Sequence, residues 1–79
     1  MFTEQIRDVL KQHARLSADA ATLEEDADLY YAGLTSLSTV NLMLAIEDEF
    51  GVEFPEAMLG RRTFQSIRSL NEALAQLTS

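Results

Sequence analysis

Between Phe2 and Ala14 the apolar residues Phe2, Ile6, Val9, Leu10 and Ala14 recur at the three- and four-residue spacing of one helical face. Residues 2–15 are therefore predicted to form a first helix, with Thr3 or a neighbour as its cap. The rhythm stops at Ser17. From there to Thr35, polar residues (Asp19, Glu24, Glu25, Asp26, Asp28) and Gly33 surround isolated Leu23, Leu29 and Leu34, the pattern of a long loop pinned to a core by three anchors. A connection of this length is unusual in a compact domain unless it has a function. A second helix is expected to start at Thr35 or Ser36 and to end at Gly51, which stands where a left-handed C-terminal cap would be. Steps of about 100° per residue spread Leu37, Val40, Leu42, Met43, Leu44, Ile46 and Phe50 over more than half its circumference. That arc predicts contact with several elements and leaves Ser38, Asn41, Ala45 and Asp48 as the stripe facing water. Residues 54–60, with Pro55 near the start and Gly60 past the end, read as a short helix, and Thr63 is placed to cap a last helix with the face Phe64, Ile67, Leu70, Leu74 and Leu77. The predicted class is all-α, a small four-helix bundle of three longer helices and one short one with a long first loop, filling one domain over residues 1–79.

Composition narrows what such a bundle can do. The 79 residues are 47% apolar, with one proline and three glycines, which is a globular share that leaves long stretches free to be helical. There is no cysteine and one histidine, His13, so disulfides, thiolate chemistry and a Cys/His zinc cluster are all excluded. The longest apolar run, Leu42 to Ile46, is far below the ~20 residues of a membrane span. The formal charge of −7 is concentrated: residues 17–35 and 36–60 each carry −5, whereas both ends are basic. Such a balance disfavours nucleic acid and anionic lipid as partners and favours a basic protein surface. The expectation is a soluble, cytoplasmic monomer.

Few side chains could carry chemistry. His13 falls near the edge of the first helix's apolar face, the place of a partly buried structural histidine, and has no acid–base companion in the pattern. A calcium loop starting at Asp26 would need glycine where Tyr31 stands and glutamate where Leu37 stands. Gly33, Gly51 and Gly60 are too dispersed for a phosphate-binding loop. What remains is Ser36, at the mouth of the second helix, where free backbone N–H groups favour an anion. Either Ser36 or Thr35 could simply cap the helix, a role worth about 1 kcal/mol. A serine with no adjacent base is a poor nucleophile, so chemistry at Ser36 points to a target modified by another enzyme.

In order and spacing, Asp28-Leu29, Gly33-Leu34-Thr35-Ser36-Leu37, Glu47-Asp48-Glu49-Phe50-Gly51 and Phe54-Pro55 resemble the acyl carrier protein family, and the likeness spans essentially the whole chain. The resemblance implies that Ser36, the serine of the Gly-Leu-x-Ser-Leu element, carries a 4′-phosphopantetheine transferred from coenzyme A. The thiol of that arm would hold an acyl or aminoacyl group as a thioester. Implied partners are a phosphopantetheinyl transferase, an acyl- or aminoacyl-loading ligase, and downstream synthase or transferase enzymes with basic docking patches. Docking would fall to Thr35, Leu37, Asn41, Glu47, Asp48, Glu49, Glu53 and Glu56. In many family members the attached chain folds back between the helices; Val40, Met43, Ile46 and Met58, with Leu37 beside them, are candidates to line such a groove, and ordinary core is the alternative for the same residues.

Two departures bear on partner choice. The family's usual aspartate before the modified serine is Thr35 here, and its usual acid one turn into the second helix is Asn41. Arg61 and Arg62 add positive charge where the family is commonly neutral or acidic. Together these predict a specialised carrier rather than the general protein of fatty acid synthesis. The competing reading is a non-covalent acidic adaptor with a carrier-like fold and no prosthetic group, which would have no need of the complete Gly33-to-Leu37 element.

Overall fold

The computed structural model describes every residue except Met1, Arg15, Ala18 and Ser79. The chain forms α1 (Thr3–His13), α2 (Ser36–Phe50), a single 3-10 turn (Glu56–Met58) and α3 (Ile67–Thr78). The expected fourth helix over residues 54–60 is therefore one 3-10 turn introduced by Pro55, and among the described residues the architecture is three helices plus that turn. The expected end of the first helix at Arg15 lies outside the described residues.

α1 packs against both other helices and is central to the core. Ile6, Leu10, Leu29, Leu42, Ile46, Ile67, Leu70 and Leu74 are fully buried, each contributing on the order of 1.5–3 kcal/mol by leaving water. Of the two expected cap positions, Thr3 or a residue beside it, α1 uses the latter. The N-cap is Phe2, which makes no side-chain cap bond; its N–H donates to Asn71 Oδ1 at 2.7 Å, while Asn71 Nδ2 donates to Thr3 Oγ1 at 2.9 Å, so α3 anchors the start of α1 from across the fold. His13, the last residue of α1, is exposed rather than partly buried.

The long first loop is pinned as its apolar anchors require: Leu29 and Leu34 are buried and Leu23 packs against the core. Arg7 Nη1 donates to the carbonyls of Ala20 (2.6 Å) and Leu23 (2.7 Å), and the Leu29 N–H donates to Gln65 O at 2.7 Å. Several of the loop's acids serve its own turns. Asp28 Oδ1 accepts the N–H of Tyr30 and Asp19 Oδ1 that of Ala21, whereas Asp26 reaches out of the loop to pair with Arg68 of α3. The charge of this segment is thus partly structural.

α3 starts later than Thr63 suggested. Residues 61–65 are turns, and Ser66 Oγ accepts the Ser69 N–H at 3.0 Å in the capping role. At the end of α2, Gly51 takes φ +63°, the left-handed conformation in which a side chain would be strained, and closes the helix. The chain then turns under Glu47, whose Oε2 accepts the N–H of buried Phe54 at 2.8 Å. Glu47→Ala strands that donor and is expected to lose about 1–2 kcal/mol, or about 4–8 °C in Tm per kcal/mol lost. Glu47→Gln, which keeps an acceptor, should lose less; thermal melts of both variants check this. Among the described residues no helix is long and apolar enough to cross a membrane.

Candidate functional site

Four hydroxyls crowd the start of α2, and the local hydrogen bonding separates them. Thr35 is the N-cap: its Oγ1 accepts the Ser38 N–H at 3.1 Å, and the Ser38 hydroxyl accepts the Thr35 N–H in return, completing a capping box. Thr39 Oγ1 donates to the Thr35 carbonyl at 2.7 Å. Ser36, the first helical residue, is exposed, and its Oγ has no hydrogen-bond partner among the described residues. The capping alternative for Ser36 thus falls to Thr35, and the hydroxyl beside it stays open. The N–H groups of Ser36 and Leu37 are also without an acceptor among the described residues, as the first turn of a helix leaves them, and the first turn contains no acidic residue. A monoanion attached at Ser36 Oγ therefore meets free donors and the positive end of the helix dipole.

Ser36 also opens onto a cleft of about 420 Å³. Thr39, Val40 and Met43 of α2 form one wall; Tyr30, Leu59, Gly60, Arg61 and Phe64 form the rest. Of the four groove candidates, Val40 and Met43 lie in this cleft. Ile46 does not, being fully buried in the core, and Met58 lines a different hollow with Arg62 and Ser69. Tyr30, Leu59 and Phe64 carried no signal of their own as lining residues, because they come from separate segments that only the tertiary fold brings together.

The solvent face of α2 differs from the expected Ser38–Asn41–Ala45–Asp48 stripe. Leu37 is 73% exposed, Leu44 54% and Val40 49%, whereas Ala45 is half-buried against the core. Three residues of the expected contact arc thus stand largely in water, on the face of α2 that begins next to Ser36. Asn41 is exposed on the same side. The acidic candidates lie elsewhere. Asp48 is about 18 Å along the helix from Ser36 at 1.5 Å per residue, and with Glu49 it borders a hollow against α1. Glu53 and Glu56 are exposed beyond the end of α2, and Glu47 is held by Phe54. Among the described residues no group of three His, Asp or Glu side chains could hold a metal ion.

An unengaged hydroxyl on a helix start, free N–H donors around it, an apolar cleft beneath it and no thiol of its own define a scaffold for a covalently attached arm, the arrangement of a carrier domain. Comparison with known families agrees: the phosphopantetheine attachment site (PP-binding) family matches residues 4–75, and the chain belongs to that family, the group that includes the acyl carrier proteins. Its prosthetic group is phosphopantetheine, and the donor set at the start of α2 fits the phosphodiester of that group. The chain is 41% identical over 69 residues to the aminoacyl carrier protein of Agrobacterium fabrum, covering 87% of this chain and 83% of that protein. Identity to aminoacyl carrier protein 1 of Bradyrhizobium diazoefficiens is 37% over 65 residues, covering 82% of this chain and 68% of that one. Among solved structures, it superimposes with a TM-score of 0.92 and 36% identity on a chain of the complex between an engineered Bradyrhizobium japonicum glycine:[carrier protein] ligase, carrier protein from Agrobacterium tumefaciens and ATP, covering 98% of this chain and 100% of that one.

Proposed function

We propose that this protein is an aminoacyl carrier whose arm is attached at Ser36, and that an ATP-dependent amino acid ligase loads it for a downstream acyl-transfer enzyme. The single observation that carries the site is the unengaged Ser36 hydroxyl among three neighbours that are all committed to the helix start. When bound, the phosphopantetheine supplies the thiol that holds the cargo as a thioester. The chain's own residues do the positioning. Thr35 and Ser38 fix the first turn, so Ser36 Oγ is held out in solvent where a transferase can reach it, and the Ser36 and Leu37 N–H groups face the phosphodiester. An unmodified adaptor has no use for such an open hydroxyl.

The exposed row Leu37, Val40 and Leu44, flanked by Thr35 and Asn41, is the docking surface next to the site. Asp48, Glu49, Glu53 and Glu56 form its distant acidic rim, suited to steering a basic partner rather than to holding it. Glu47 is a structural residue within that rim. With Thr35 and Asn41 in place of acids, the face of α2 next to Ser36 carries no acidic residue, which suits a dedicated partner and ill suits enzymes that read an acidic helix. The identity to aminoacyl carrier proteins and the likeness to a chain in the ligase complex support an amino acid as the cargo.

The test is to offer the phosphopantetheine-bearing protein, with ATP, to an amino acid:[carrier protein] ligase and, separately, to a fatty acid-loading synthetase. The expected result is a gain of one aminoacyl mass with the first and none with the second. Efficient fatty acylation without aminoacylation would overturn the assignment of cargo.

A further inference from the structure

We infer that Arg61 grips the phosphodiester on Ser36 and holds the base of the arm against the mouth of the cleft. The inference rests on attachment at Ser36. Arg61 and Ser36 line the same cleft from opposite elements, α2 on one side and the turn before α3 on the other. Arg61 is the charged member of that lining, and no carboxylate shares it, in a chain with 13 acidic residues.

The guanidinium is held but not neutralised. Its Cζ sits 4.1 Å from the centroid of the Tyr30 ring, a cation–π contact that engages the guanidinium's charge without using its N–H donors. Arg7 is committed to the carbonyls of Ala20 and Leu23 and Arg68 to Asp26, while Arg62 lines a separate hollow with Met58 and Ser69. The Arg61 guanidinium makes no hydrogen bond or ion pair among the described residues, its carbonyl alone accepting the Phe64 N–H. Tyr30, in turn, is fixed by its N–H to Asp28 Oδ1 at 2.9 Å and by packing against the core. A phosphodiester attached at Ser36 places a monoanion on the cleft that this cation lines, and a planar guanidinium binds phosphate oxygens through charge-assisted hydrogen bonds. The free N–H groups of Ser36 and Leu37 supply the other side of the cradle. Arg61 is a positioning residue here, setting where the arm leaves the surface.

The test compares wild type, Arg61→Gln and Arg61→Lys before and after modification with coenzyme A and a transferase, using intact mass, phosphorus-31 NMR and nitrogen-15 NMR. On modification, the Arg61 Nε–H resonance of the wild type is expected to move. Its phosphorus resonance should differ from that of Arg61→Gln, with Arg61→Lys between them because it keeps the charge and loses the planar fork. The wild type should also show a rise in Tm on modification that Arg61→Gln lacks. Arg61 is exposed, so the unmodified variants keep the fold. If all three proteins gain the mass, yet the phosphorus resonances coincide and the Arg61 Nε–H does not move, the inference is wrong. A wild type that gains no mass contradicts attachment at Ser36 itself, and the inference with it.

Discussion

Ser36→Ala is expected to stay folded and to take no phosphopantetheine at all. The substitution removes a hydroxyl that bonds to nothing in the described chain, at an exposed first helical position where alanine is at least as good a helix former. Stability should stay within about 0.5 kcal/mol of wild type, the range of surface changes that break no contact. The loss of modification is expected to be complete, because the neighbouring hydroxyls cannot substitute. The Thr35 and Ser38 hydroxyls lie 2.6 Å apart within the capping box, and that of Thr39 is turned back onto the Thr35 carbonyl. A variant with unchanged thermal midpoint and unchanged mass after treatment with coenzyme A and transferase is the predicted result.

The second large effect concerns docking. Leu37 stands 73% exposed one residue after the attachment site, and Leu44 lies two helical turns along the same face. In an interface built around this row, Leu37→Asp sets a charge in the dehydrated centre and removes an apolar contact. The kcat/KM for loading by the amino acid ligase, measured on protein that already bears the arm, is expected to fall at least ~10-fold, the equivalent of about 1.4 kcal/mol. The thermal midpoint should hardly change, since the side chain touches little. Neutralising Asp48 and Glu49 together should do much less, and that effect should vanish at high salt, where exposed charges about 18 Å from the site are screened. A loading rate insensitive to Leu37→Asp but sharply reduced by the acidic changes would place docking on the acidic rim instead.

The local features of this molecule were legible in its sequence. The spacing of Ile6, Val9 and Leu10, the isolated leucines of the first loop, and Gly51 as a left-handed cap each depend on near neighbours, and the structure shows all three. The Ser36 element stood out for the same reason. What could not be read depends on distant segments. Thr63-x-x-Ser66 and Ser66-x-x-Ser69 are equivalent capping patterns three residues apart, and α3 uses the second, with Leu29 of the first loop bonded to Gln65 O just before it. Leu37, Val40 and Leu44 fell on one contact arc with Leu42 and Ile46 because apolar spacing does not reveal whether a neighbour within the fold or a partner covers them. Acid counts likewise hide function: Glu47 holds Phe54, Asp28 holds a turn, and Asp48 faces solvent, yet all three contribute equally to the net charge. The cleft is assembled from the first loop, α2 and the turns before α3, so Tyr30, Arg61 and Phe64 become one site only in the fold.

Loss of modification in a variant would also follow if Ser36 were merely recognised by the transferase while the arm went elsewhere. Locating the arm is therefore the most direct measurement. Wild-type protein treated with coenzyme A and a broad-specificity phosphopantetheinyl transferase should be fragmented and the added mass assigned to a residue by tandem mass spectrometry. One phosphopantetheine per chain is expected, on Ser36; its presence on Thr35, Ser38 or Thr39, or no added mass at all, would contradict attachment at Ser36.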